Sequence, residues 1–179
     1  MERPSDSLRG LLVGGDRRSI ARGGHALALV RSRPERVAEV AALAKDEDPL
    51  VSQRALDLLE KLARERPGWI EPHKSIFLGP LADSERWEVR LQIVRALPLF
   101  RWKGADRPRV LAILRRDVSH PQKFVKAWAL DSLATLARDE PALRPFVLRH
   151  LRAFERSDSK ALIARARHVR ERLSKDPRG

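Results

Sequence analysis

The stretch VKAWALDSLATLA, Val125–Ala137, decides how the chain is read. Its apolar residues Val125, Ala129, Leu133 and Leu136 recur at intervals of three and four, the spacing of one face of an α-helix. Three other stretches repeat it. VSQRALDLLEKLA begins at Val51, VRLQIVRALPLF at Val89 and LIARARHVRERL at Leu162. Successive starts lie 38, 36 and 37 residues apart, and the fifth positions are Ala55, Ile93, Ala129 and Ala166. A steady period of this size is the mark of a stacked-repeat architecture, because one helix pair cannot bury its apolar stripe alone.

Prolines recur with a similar spacing. Pro34, Pro72, Pro108 and Pro141 each precede another apolar-periodic segment, and the first helical turn tolerates the missing N–H of proline. Asp48, Asp83, Asp117 and Asp158 stand before the repeated stretches, where a carboxylate can accept from open N–H groups. Each unit therefore reads as helix, short turn, helix. First helices are expected near 34–45, 72–82, 107–117 and 141–156, and second helices near 50–66, 86–101, 122–138 and 160–174. Pro80, Pro98 and Pro145 should kink or shorten the helices they enter. No strand alternation competes.

The pattern Asp-x-x-Val-Arg-x-x-Ala on the second helix resembles HEAT repeats. It stands as Asp48-Pro-Leu-Val51-Ser-Gln-Arg-Ala55, and more loosely as Asp83 with Val89-Arg90 and Asp117 with Val125-Lys126. The resemblance covers about residues 34–174, and the fourth unit departs most because Ile163 replaces the basic second position. It implies an all-α, right-handed α-solenoid of about five antiparallel helix pairs in a single domain, 1–179. Repeats fall at about 34–66, 72–101, 107–138 and 141–174, with an irregular N-terminal unit at 5–31 and a short tail at 175–179.

The N-terminal unit holds GLLVGGDRRSIARGGHALALV, residues 10–30. Leu8, Leu11 and Leu12 should face inward on a short helix stopped by Gly14-Gly15. Asp16 or Ser19 would start a second segment, which Gly23-Gly24 should break. The stretch is not a Walker phosphate loop, since it lacks a preceding strand and the Gly-Lys-Ser/Thr ending. It reads first as a turn. Arg17, Arg18 and Arg22, beside the N–H groups of a helix start, make it the best local anion candidate.

Composition sets the class of partner. The chain carries a net charge of +13 over 179 residues and has no cysteine or tyrosine. Thiolate chemistry and disulfides are excluded. No apolar run is long enough to span a membrane, and MERPSDSLRG lacks the apolar core of a signal peptide, so a cytoplasmic location is the default expectation. A basic surface favours nucleic acid, anionic lipid or an acidic protein. The 29 arginines against 8 lysines also match what a GC-rich coding sequence produces without selection for a ligand.

In HEAT repeats the second helices line the concave side, so the resemblance directs attention to their outward positions. Counting from each repeat start, position four is Arg54, Gln92, Trp128 and Arg165; position seven is Asp57, Arg95, Asp131 and His168; position fourteen is Arg64, Trp102, Arg138 and Lys175. Arg54 and Arg95 with Trp102 and Trp128 have the composition of an interaction hot spot, while tryptophans wedged between units would look the same. The last helix adds Arg165, Arg167, His168, Arg170 and Arg172, either a docking patch or a solvated cap. Arg90 and Lys126 suit an intramolecular Asp–Arg ladder.

Catalytic signals are weak. The five histidines lack metal-ligand spacing, no serine sits in a glycine elbow, and nothing calls for a cofactor or metal. The expectation is a non-enzymatic interaction module that binds an acidic protein or peptide on its concave face. The alternative is nucleic-acid binding through the basic C-terminal half. A remoter one is an alkylpurine DNA glycosylase of HEAT-like fold, suggested by Trp128 and Asp131 with Arg165. That family's tandem Trp-Trp-Asp segment is absent. Charge geometry separates the two main readings. Arginines of 144–172 merging with Arg95, Arg101 and Arg109 into one stripe favour nucleic acid, whereas interruption by Asp57 and Asp131 favours protein.

Overall fold

The computed structural model describes residues 7–14 and 22–175. Among them ten α-helices and several 3-10 turns follow one another, with no strand. The chain divides into two compact units, 1–81 and 82–179.

In the first unit, α1 (Leu8–Leu12) is capped by the Ser7 hydroxyl, which accepts from the Gly10 N–H at 2.9 Å. Leu8, Leu11 and Leu12 are buried as the spacing predicts. Gly14 leaves the helix at φ +85°, a left-handed conformation open to glycine without strain. Gly23-Gly24 should break a segment that lies, but for Arg22, outside the described residues. They are the first residues of α2 (Gly23–Ser32), an end position where glycine costs little. Asp16, Arg17, Arg18 and Ser19 lie outside the described residues.

Pro34 opens a 3-10 turn that runs into α3 (Val37–Leu43), and α4 (Pro49–Glu65) packs against it. Asp48 caps α4 by accepting from the Leu50 N–H at 2.8 Å. Ser52 Oγ donates to the Ala44 carbonyl at 2.7 Å, tying the two helices in a buried setting.

The expected first helix at 72–82 is not an α-helix. After α5 (Pro67–Ile70) the chain winds as a 3-10 stretch, Glu71–Leu78, followed by a 3-10 turn, Pro80–Asp83. Pro67, Pro72 and Pro80 remove three N–H donors from this segment, and Pro80 forces the preceding Gly79 into an extended conformation. Phe77, Leu78 and Ala82 are buried nevertheless.

In the second unit, α6 (Trp87–Ala96), α8 (Lys123–Leu136) and α10 (Lys160–Ser174) form one layer, with α8 between the other two. Helices α7 (Asp106–Asp117) and α9 (Arg144–Glu155) pack on α8 from the other side. Pro98 shortens α6 and the chain continues as a 3-10 turn, Leu97–Leu99. Val125, Ala129 and Leu133 of α8 are fully buried, as their spacing requires. Ser132 Oγ donates to the Val94 carbonyl at 2.6 Å and joins α8 to α6.

The aspartates before the later repeated stretches do not cap helices. Asp117 ends α7, is fully buried, and accepts from the guanidiniums of Arg90 and Arg116. Asp83 accepts from Arg109 at 3.1 Å and from Arg116 at 2.6 Å. These bonds hold the Asp83 carboxyl below its ordinary pKa, Arg116 contributing most. Guanidiniums within reach outcompete backbone N–H groups, because a paired charge offsets more of its desolvation. Asp158 is exposed.

Candidate functional site

The site is built on α8 and α10 of the second unit. Trp128 and Asp131 lie one turn apart on α8, and Arg165, His168 and Arg172 follow at i, i+3 and i+7 on α10. The two stripes meet. Arg165 Nη1 donates to Asp131 Oδ2 at 2.8 Å, and Arg172 Nη1 lies 2.8 Å from Asp131 Oδ1. Arg172 Nη2 also donates to the Asp131 backbone carbonyl at 3.0 Å. The Arg165 guanidinium stands 3.9 Å from the centroid of the Trp128 ring, and Arg95 on α6 stands 5.1 Å from it. Arg95 Nη1 in turn donates to Gln92 Oε1 at 3.4 Å.

Exposure decides what this cluster presents. The Asp131 side chain is 8% exposed, while those of Arg165 and Arg172 are 24% and 32% exposed. One buried carboxylate thus orients two guanidiniums that reach solvent, and His168 between them is exposed. Both carboxylate oxygens are engaged by cations, so Asp131 serves as an anchor.

Other candidates fall elsewhere. Arg54 is not on an open face. It is buried, and its Nη1 donates to the carbonyls of Leu12 and Gly14 at 2.6 and 2.7 Å, closing the C-terminal end of α1. Trp102 is not exposed either. It packs edge-on to Phe100 at 5.8 Å and donates Nε1–H to the Leu97 carbonyl at 2.7 Å. The shortening of α6 at Pro98 removes residue 102 from the helical register that would have turned it outward. Asp131, expected to point away, is also buried. Arg170 faces α9, where Glu155 accepts from it at 2.5 and 2.8 Å and is held below its ordinary pKa. Arg167 is exposed on α10, and Arg22 is exposed at the start of α2. In the first unit Asp57 pairs with Lys61 at 2.5 Å.

Sequence reasoning missed Arg172 as a partner of Asp131, although Leu162 plus ten residues puts it on the Arg165 stripe. It also missed a groove of about 270 Å³ between α9 and α10, floored by Val147, Leu148, Leu151 and Leu173 with Arg144 and Arg170 at its sides. Among the described residues no group of three or more histidine, aspartate and glutamate side chains could hold a metal ion. No described helix is long and apolar enough to cross a membrane.

No protein-family model matches the sequence, and no curated protein sequence matches it. Solved structures do. An engineered protein from the Northeast Structural Genomics Consortium aligns at a TM-score of 0.64 with 18% identity, covering 96% of this chain and 72% of that one. A designed armadillo repeat protein in complex with the peptide (KR)4 aligns at 0.61 with 17% identity, covering 92% and 79%. A second designed armadillo repeat protein aligns at 0.58 with 16% identity, covering 93% and 80%. At these identities the likeness speaks for the fold. With helix pairs repeating every 36 to 38 residues, the chain has the all-α solenoid fold of HEAT and armadillo-type helical repeats.

Proposed function

We propose that this protein is a non-enzymatic interaction module that binds an acidic protein or peptide on the face formed by α8 and α10. The observation that carries the reading is the Arg165–Asp131–Arg172 bridge, in which the cations and not the carboxylate reach solvent. A ligand carboxylate can accept from guanidinium N–H groups that Asp131 leaves unused, and Arg165, held against Trp128, is already oriented for it. The aromatic ring between Arg95 and Arg165 supplies the apolar contact typical of an interface anchor.

Asp131 lies within the row of cations, which disfavours a phosphate backbone on this face and favours a ligand of mixed character. Arg109 is engaged by Asp83 and does not extend the row. The same double pairing of Asp131 argues against a general base or a glycosylase-type carboxylate. A structural neighbour was solved with a bound peptide, (KR)4, which supports peptide binding as a use of this fold. The basic face here calls for the opposite charge.

The test is fluorescence anisotropy of a labelled Glu/Asp-rich peptide, a (KR)4 peptide and a neutral peptide. Saturable binding of the acidic peptide alone is expected, weakened about tenfold in Arg165→Gln, the loss of one charge-assisted contact. Equal binding of the neutral peptide, or an undiminished Arg165→Gln variant, rejects the reading.

A further inference from the structure

A second charged surface of the same unit runs from α7 and α9 onto the first turn of α8. Phe146 of α9 has the Arg115 guanidinium of α7 at 5.5 Å and the Arg149 guanidinium of its own helix at 5.3 Å from its ring centroid. The His150 ring stands 4.5 Å from it. Arg115 and Arg149 are exposed. Lys126 of α8 joins the group, its Nζ 6.0 Å from the Phe154 ring. One turn before it, Lys123 lies over Phe124, which is 43% exposed and whose ring is tilted against Trp87 at 6.2 Å. Among the described residues no carboxylate pairs with Arg115, Arg149, Lys123 or Lys126.

The repeat register explains why Lys126 lacks an acid. Arg90 is the second residue of its repeat, and it is paired with Asp117, eight residues before the start of the next repeat. Lys126 is the second residue of the following repeat, and the position equivalent to Asp117 is Phe154. The ladder loses its acid at this rung, and an aromatic ring stands there instead. His150 and His120 sense the surplus. Burial lowers both pKa values most, and nearby cations lower them further: Arg149 and Lys126 at His150, Arg90, Arg116 and Lys126 at His120.

We propose that the Arg115–Phe146–Arg149 cluster, with Lys126 and Lys123, is a binding surface for single-stranded nucleic acid. Guanidiniums laid on an aromatic ring keep their N–H edges directed outward, and these edges fit phosphate oxygens. The exposed Phe124 ring beside Lys123 supplies a platform on which a base can stack. Among the described residues no carboxylate pairs with these cations, whereas Asp131 pairs with two on the α8–α10 face. A membrane surface fits less well, because the Phe146 ring is half-buried and flanked by the Arg115 and Arg149 guanidiniums.

The experiment titrates the full chain against a fluorescein-labelled short single strand and a matching duplex across a salt series. Binding on the order of micromolar at low salt, tighter for the strand and weakening with salt, is expected. Arg115→Glu with Arg149→Glu should lower affinity at least tenfold, and Arg115→Gln with Arg149→Gln should lower it less. The equal charge change Arg33→Glu with Arg66→Glu, on exposed residues of the other unit, should leave most of it. Circular dichroism confirms that each variant is folded. Absence of binding at low salt overturns the proposal. So does loss by the same factor in both double reversals, which would report net charge alone. Cosedimentation with phosphatidylserine vesicles in place of strand binding would assign the surface to a membrane and overturn it too. None of these outcomes bears on the acidic-peptide face, which Arg165→Gln tests separately.

Discussion

Arg90 and Lys126 occupy the same position in successive repeats, and their surroundings differ. Arg90 is bound to Asp117, whose side chain is fully buried, and its own side chain is 11% exposed. Lys126 meets the Phe154 ring and two histidines that burial and cations keep toward neutrality. The same position in the repeat thus serves two ends. At the first rung a charge is consumed in holding helices together. At the second it is left available to a ligand. The arginines of the two faces divide in the same way, into those held by Asp131 and those held only by an aromatic ring.

Breaking the first rung should cost the most. Asp117→Asn leaves Arg90 and Arg116 with a neutral partner in a buried setting and should lower unfolding free energy by about 3 kcal/mol or more. Urea denaturation measures it, and a loss below about 1 kcal/mol would mean that solvent replaces the pair. Next comes Trp128→Ala, which removes the ring between Arg95 and Arg165 and should cost about 2 kcal/mol. Phe146→Ala should cost less, since Arg115 and Arg149 already face water. Comparing the two truncations by thermal melting shows whether the α8–α10 stack is the more structural one.

Acidification sharpens the comparison from the other side. The folded pKa of His150 lies below its ordinary value of 6.5, so the unfolded chain takes up more protons than the native one as pH falls through that range. The His150 site therefore costs no stability well above about 6.5 and an increasing amount as pH falls through that value, and His150→Gln should flatten this part of the decline. The smallest effect belongs to Lys126→Ala. It should stay within about 0.5 kcal/mol of the parent protein, and at low salt it should be neutral or slightly stabilising, because it removes repulsion with Arg149.

Much of the architecture was legible because burial imposes its period on the chain. Val125, Ala129 and Leu133 are inside for the reason their spacing states, and α7, α8 and α10 begin and end within a few residues of expectation. Proline density at 67–80 defeated the helix expected there, since a pattern of apolar residues does not report how many N–H donors have been removed. Trp102 and Arg54 were misplaced for a related reason. Helical position predicts direction only while the helix lasts and while no neighbouring segment covers it.

What the sequence by itself determined is the helix pair, its period and the face each helix buries, all consequences of local geometry and the removal of apolar surface from water. Which charges are spent and which remain was decided only in the tertiary structure. Coulomb attraction depends on distances between residues about 27 to 41 positions apart, such as Arg90 and Asp117 or Arg172 and Asp131, and no periodicity along one helix encodes them.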